Sequence, residues 1–366
     1  MTSIWEGIHP RLTGCDSLAR AVPHLPPRTL LHAGPPYAAP AAVPVPVRNA
    51  ACAALLSEGW ADTIDEAAEM LRSGAVHLAP AQDFDVVTPL ACIVPPSMPV
   101  LRVEACGLMR LTPVNDGPAD GALRFGDSQT QAQIARIKAL RDWLPHIVDL
   151  VGDGVDLLPL MNTAIHAGDD LHGSVAQLTD ALADALTVPA AAPADLLAYI
   201  RTPLFGLNPV MAAASILSAA LATRQGAPVV VAAGGNGVDF GWKSSATPDI
   251  WETRPAHAPV GPMMKPDAPV LPAIGDSAVI DALGLGAAIL RHAPALRDAL
   301  APFHPPQAFT PQASACFLAP HPALPGDIRL GLPMTALSDH PGIMLAMLGA
   351  GGEGLIGRGI APWPAP

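Results

Sequence analysis

The sequence predicts an α+β fold, multi-lobed, with two α/β lobes and a central helical subdomain. Three observations predict it. Strand-like runs, turns and short helical patterns alternate over residues 28–127, and helical periodicity dominates residues 128–205. The buried-strand run Val229, Val230, Val231, Ala232 and Ala233 then leads into glycines within a last section, 206–366. Residues 1–27, interrupted by prolines, are expected to form an irregular arm.

Each element has a local signal. Arg28, Thr29, Leu30 and Leu31 read as a strand ending at His32-Ala33-Gly34-Pro35-Pro36, and ligand loops often follow strands. Residues 49–57 have a helical pattern. Thr63 with Glu66 makes a capping box for a helix to Arg72, stopped by Gly74. Two strand-like runs, 91–94 and 100–104, flank the turn Pro95-Pro96-Ser97-Met98-Pro99. Ile134, Ile137, Leu140 and Leu144 mark one face of a helix over 131–144, followed by 147–151. Further helices are expected over 157–165, 173–186 and 194–200. Asn208-Pro209, an N-cap side chain followed by proline, opens a helix over 210–224 whose alanines let another element pack closely. A proline-rich connection over 248–272 leads to Gly275-Asp276-Ser277 at the head of a helix to about Leu290, with Asp276 or Ser277 as its cap. No repeat of fixed period is evident.

Composition narrows the function classes. Half of the 366 residues are hydrophobic and 14% are charged, which argues for a compact protein with extensive internal or intersubunit burial. A homo-oligomer or a complex is therefore expected. The net charge of -12 disfavours nucleic acid and anionic membrane as partners, because each needs a basic face. The five cysteines are scattered without CxxC spacing, so neither a disulfide framework nor a zinc knuckle is indicated. The N-terminus has no basic region followed by an apolar core, and a cytoplasmic location with reduced thiols is the simplest expectation.

Two constellations carry chemistry. In the first, Gly234, Gly235, Gly237 and Gly241 permit close backbone approach to a ligand, while Asn236, Asp239 and Lys243 add an amide, a carboxylate and an ammonium group. This reads as an anion pocket or as an ordinary glycine-rich turn. It is neither a Walker loop nor a GxGxxG fingerprint. In the second, His166-Ala167-Gly168-Asp169-Asp170-Leu171-His172 would, on a helix, set His166 against Asp169 and Asp170, and Asp169 against His172. A carboxylate can then orient an imidazole for proton transfer or for holding an anion. A solvated helix cap and a divalent metal site are the competing readings, and the metal has no further support. No cofactor is expected. His32 beside Gly34, Ser97 in its proline-braced turn, and Asp276 with Ser277 are further ligand contacts, each with a plain structural alternative.

Several segments, in order, resemble the AllG (YlbE) family. Residues 28–36 resemble RTxLHAGPP, 55–60 resemble LLYEGWA, 96–100 match PSMPV, and 123–126 match an LRFG strand. His166 with Gly168, Asp169 and His172 fits HxGDExH, with Asp170 in place of the glutamate. Residues 208–213 resemble LNxxMAA, 236–241 resemble NGxEFG, and 274–278 resemble IGDSA. Relatives usually carry a further N-terminal nucleotide-fold domain before the first of these motifs, so the resemblance implies a short form. Residues 82–85, Gln-Asp-Phe-Asp, stand where relatives have a histidine-rich run, and Lys243 stands where arginine is common.

The resemblance implies carbamoyl or related acyl transfer between phosphate and an amide, with oxamate plus carbamoyl phosphate giving oxalurate as precedent. It makes a carbamoyltransferase-like enzyme or subunit of nitrogen-compound catabolism the expected function. A stand-alone amidohydrolase and a noncatalytic scaffold subunit are the alternatives. Under it, Gly235, Asn236, Gly237 and Lys243 hold the anionic substrate, and His166 or His172 carries a proton with Asp169 as its orienting group. His32, Gly34, Ser97, Asn208, Asp239, Asp276 and Ser277 complete the expected substrate contacts. Other carbamoyltransferase subunits are the expected partners.

Overall fold

The computed structural model describes residues 4–114 and 121–364. A four-stranded antiparallel sheet is formed by β1 (Arg11–Ser17), β4 (Pro99–Ala105), β5 (Leu108–Pro113) and β6 (Val155–Asp156), in the order β5-β4-β1-β6. Between β1 and β4 in the chain, β2 (Thr29–His32) pairs in parallel with β3 (His77–Pro80), so that His32 lies opposite Pro80. The helices α1 (Leu18–Ala21), α2 (Val45–Ser57) and α3 (Ile64–Ser73) belong to the same section. The capping of α3 follows the sequence: Thr63 Oγ1 accepts the Glu66 amide, and Gly74 closes the helix at φ +74°.

The helical section comprises α4 (Thr130–Val151), α5 (Leu157–His166), α6 (Ala176–Ala185) and α7 (Ala194–Tyr199). The helix expected in two pieces is one, with Pro145 inside it. Next comes α8 (Leu207–Ala222), buried along nearly its whole length. It packs against β4 and β5 and against β7 (Val230–Asn236) and α9 (Ala278–Leu283). Alanine at positions 212–214 permits that approach, since a larger side chain would hold the layers apart.

A second sheet runs β10-β7-β8-β9, with β8 (Asp239–Ser244), β9 (Thr247–Pro255) and β10 (Ile274–Gly275). After α10 (Pro294–Leu300), the short pair β11 (Ala319–Pro320) and β12 (Arg329–Leu330) precedes the hairpin β13 (Ile343–Leu348) and β14 (Leu355–Ala361). The fold is α+β. One buried apolar cluster runs from Trp5 to Trp363 and draws on every section of the chain. No helix among the described residues is long and apolar enough to cross a membrane.

Several local expectations are corrected. The arm expected over residues 1–27 contains β1, an inner strand of its sheet; a register shift between Leu12 and Gly14 obscures its alternation. Residues 91–94 form no strand, and Val94 makes only an isolated bridge to Leu31. The LRFG segment is a 3-10 turn over Leu123–Phe125, closed by Gly126 at φ +58°. Asn208 lies inside α8 and makes no cap. Ser277 precedes α9 without a capping hydrogen bond, and α9 ends at Leu283 because Gly284 takes φ +116°.

Candidate functional site

The predicted residues separate into a glycine junction, a histidine–aspartate pair, a charged cavity and four further positions. At the junction, the end of β2 meets β7 and the segment after β10. Gly34 sits at φ +75°, and a side chain there would collide with the Gly235 carbonyl, so only glycine admits this approach. Asp276, fully buried, joins three segments: its carboxylate accepts the Gly34 amide at 2.8 Å, the Thr88 amide at 3.0 Å and Gln82 Nε2 at 2.7 Å. Burial pushes this carboxyl up to about 7, although the three donors pull the other way.

Asn236 is committed as completely. Its Nδ2 donates to the Pro35 carbonyl at 2.9 Å, and its Oδ1 accepts the amides of Val238 at 2.9 Å and Asp239 at 2.8 Å. These last two bonds close the β7–β8 hairpin. Tyr37 donates its hydroxyl to the Asn236 carbonyl at 2.8 Å. The amides expected to cradle an anion are spent here: Gly235 pairs with Phe240 and Gly275 across the sheet, and the Gly237 amide donates to Ala273. The anion pocket expected at residues 234–241 is therefore the end of a hairpin, because Gly234 and Gly235 lie inside a strand instead of a loop. His32 has Nδ1 at 2.8 Å from the Ala33 carbonyl, and its buried Nε2 takes no hydrogen-bond partner among the described residues; burial holds the ring down near 4 and so neutral.

The second constellation does not form the expected helical array, because α5 ends at His166, and Gly168 at φ +106° and Leu171 at φ +67° turn the chain away. His166 is exposed, with Nδ1 at 2.9 Å from the Asn162 carbonyl. Asp169 instead supports the start of α6, accepting Ser174 Oγ at 2.7 Å and the Leu178 amide at 2.9 Å. Asp170 accepts the amides of His172, Gly173 and Ser174, and burial pushes it up to about 6. His166, Asp169 and His172 therefore share no ligand point, and among the described residues no group of three metal-binding side chains assembles.

His172 finds its carboxylate 109 residues away. Its Nδ1 lies 2.5 Å from Asp281 Oδ2, with both side chains buried. The other Asp281 oxygen accepts the amides of Ala287 at 2.8 Å and Met344 at 3.1 Å, which fix the carboxylate from behind. With Nδ1 donating to a carboxylate, Nε2 is the bare nitrogen of the neutral ring. Among the described residues Nε2 takes no hydrogen-bond partner, and it is not sealed from solvent. The sequence did carry a signal for Asp281: it is an aspartate within the apolar run Ala278–Leu283.

Lys243 opens the third place. A cavity of about 300 Å³ lies between the segment 82–87, β5, α8 and the β7–β9 sheet. Lys243 Nζ pairs with Asp83 at 2.6 Å and lies 5.1 Å from the centre of the Trp251 ring. Arg110 pairs with Asp85 at 2.9 Å and donates Nε to Ser215 Oγ at 3.0 Å. Sequence reasoning missed Arg110, which lies on β5, a strand the sequence reading did not mark.

Four predicted residues remain. Ser97 donates to Glu58, which also holds Arg141 at 2.6 Å. Asn208 donates to the Pro113 carbonyl at 2.6 Å and accepts from Arg124 at 3.5 Å. Half-buried Asp239 stands at the hairpin turn, and Ser277 is buried ahead of α9.

Comparison with known proteins adds to this geometry. Residues 76–277 match the family described as oxamate carbamoyltransferase subunit AllG. Two Escherichia coli K12 proteins are similar. The uncharacterized protein YahG is 30% identical over 308 residues, 79% of this chain and 64% of that protein. The oxamate carbamoyltransferase subunit AllG is 30% identical over 288 residues, 73% of this chain and 67% of that protein. The chain thus spans about two thirds of the length of these curated relatives. A crystal structure of a conserved protein of unknown function from Enterococcus faecalis V583 shares the fold, with a TM-score of 0.88 at 24% identity, covering 98% of this chain and 92% of that one.

Proposed function

The chain belongs to the AllG family, and from that premise we propose that it is an enzyme, or a subunit of one, that moves a carbamoyl group between phosphate and an amide nitrogen. The observation that carries the reading is the His172–Asp281 pair. It presents one imidazole nitrogen that takes no hydrogen-bond partner among the described residues, on a ring held from behind by a fully buried carboxylate.

In transfer to oxamate, the amide nitrogen attacks the carbamoyl carbon of carbamoyl phosphate and the carbon–oxygen bond to phosphate breaks. The attacking nitrogen must shed a proton. His172 Nε2 takes it, and Asp281 stabilises the imidazolium that forms, the division of labour of a base and its orienting carboxylate. In reverse, phosphate attacks the carbamoyl carbon of oxalurate and His172 returns the proton to the departing oxamate nitrogen. Asp281 thus takes the orienting role that the sequence assigned to Asp169. The working form is a complex with other carbamoyltransferase subunits, or a homo-oligomer, in nitrogen-compound catabolism.

The test is incubation of the purified chain, alone and with its co-purifying subunits, with oxalurate in the presence and absence of phosphate. Oxamate release that requires phosphate and yields carbamoyl phosphate is the expected result. Oxamate release independent of phosphate contradicts transfer and makes the protein an amidohydrolase.

A further inference from the structure

The cavity beside Lys243 has an unmet hydrogen-bonding pattern that selects its occupant. Both of its cations are already neutralised by the chain's own carboxylates, Lys243 by Asp83 and Arg110 by Asp85. A third carboxylate, exposed Asp249, lines the cavity with no partner among the described residues. An entering oxyanion would have to displace one of these carboxylates while facing another.

Unused groups of both kinds remain. Among the described residues, Arg110 Nη2 makes no hydrogen bond and is not sealed from solvent, and the Ser215 hydroxyl, which accepts from Arg110 Nε, still has its own proton to donate. Among the described residues the unused acceptors include Gln82 Oε1, the Asp249 carboxylate and the second oxygens of Asp83 and Asp85. An ammonium ion would satisfy the carboxylates and leave Arg110 and Ser215 unmet, and an oxyanion would do the reverse. A neutral, planar group with a carbonyl oxygen flanked by N–H donors satisfies both sets without adding charge.

We propose that this cavity binds the carbamoyl (ureido) end, –NH–CO–NH2, of a small molecule, with its carbonyl oxygen on Arg110 and Ser215 and its N–H groups on Asp249 and Asp83. The volume of about 300 Å³ suits a ligand of a few heavy atoms. His172 is not among the described residues that line this cavity, so this assignment goes beyond the carbamoyl-transfer reading and gives a second place where a ureido group is held, apart from the proton-transfer pair. It rests on that reading for the class of molecule, and binding is measured without turnover.

The test is calorimetric titration of the full chain with N-carbamoylglycine, with glycine, inorganic phosphate and putrescine as competitors. Saturable binding of N-carbamoylglycine alone is expected, weakened about tenfold or more in Arg110→Met and severalfold in Asp249→Asn. Asp249 lies on exposed β9, so D249N keeps the test sound if R110M fails to fold. No binding, equal binding by wild type and D249N, or displacement by phosphate or putrescine overturns the proposal. Binding that follows this pattern without oxalurate turnover sustains the cavity assignment and counts against the transfer reading alone.

Discussion

The glycine junction and the His172–Asp281 pair are built from the same materials, buried polar side chains bridging distant segments, yet they end in opposite states. At the junction, Asp276 collects three donors, and Asn236 uses both its amide nitrogen and its oxygen. At the pair, Asp281 is satisfied on both oxygens, but His172 keeps one nitrogen uncommitted. Residue type does not separate structural from reactive polar groups; the remaining valence and its access to solvent do, since the spare nitrogen of His32 is sealed and that of His172 is not. A group whose hydrogen bonds are all spent internally stabilises the fold, and one held rigidly with a lone pair to spare can exchange a proton with a substrate.

Reciprocal substitutions give the largest expected contrast. His172→Ala should lower carbamoyl transfer by about 10²–10⁴-fold, the usual contribution of a general acid–base. Asn236→Ala should leave the turnover of the folded protein close to wild type while costing about 2–4 kcal/mol of stability, since one buried and two partly buried hydrogen bonds disappear. Steady-state rates and urea midpoints measured side by side check both. A rate defect in N236A as deep as that of H172A would erase the distinction between the two regions.

A smaller effect sharpens the contrast through pH. The folded Asp276 carboxyl titrates at about 7, against 3.8 for its ordinary value, so the native state keeps a proton that the unfolded state loses between these pH values. Its contribution to stability therefore falls as pH rises from about 4 to about 7, then levels off, with a slope of at most about 1.4 kcal/mol per pH unit for one proton. His32 and His340, both held down near 4 by burial, act oppositely: the unfolded state binds their protons, so stability rises with pH from about 4 to 6.5. In Asp276→Asn the first contribution vanishes. Its urea midpoint should climb more steeply between pH 4 and 7 than that of the wild type, and parallel profiles would contradict the burial-driven shift.

Much of the fold was legible because its signals are local. Thr63, Glu66 and Gly74 delimit α3 without outside help. The strand β1 was not legible, because a register shift beside Gly14 breaks the two-residue period. At the site, the sequence marked His172, Asn236 and Asp276 as unusual polar residues but could not count their partners, which lie up to 242 positions away. Two positive backbone angles account for the loss of the expected histidine array. Once Gly168 and Leu171 turn the chain, helical spacing no longer says which residues face one another, and His172 meets Asp281 in place of Asp169.

The ring state of His172 tests the central claim most directly. Nitrogen-15 NMR of protein labelled at histidine, assigned by comparison with H172A, reports which ring nitrogen carries the proton at neutral pH. The account predicts a protonated Nδ1 bonded to Asp281 and a bare Nε2, with that preference lost in Asp281→Ala. A protonated Nε2 with a bare Nδ1 would contradict it, because the nitrogen facing outward would then have no lone pair with which to take a proton.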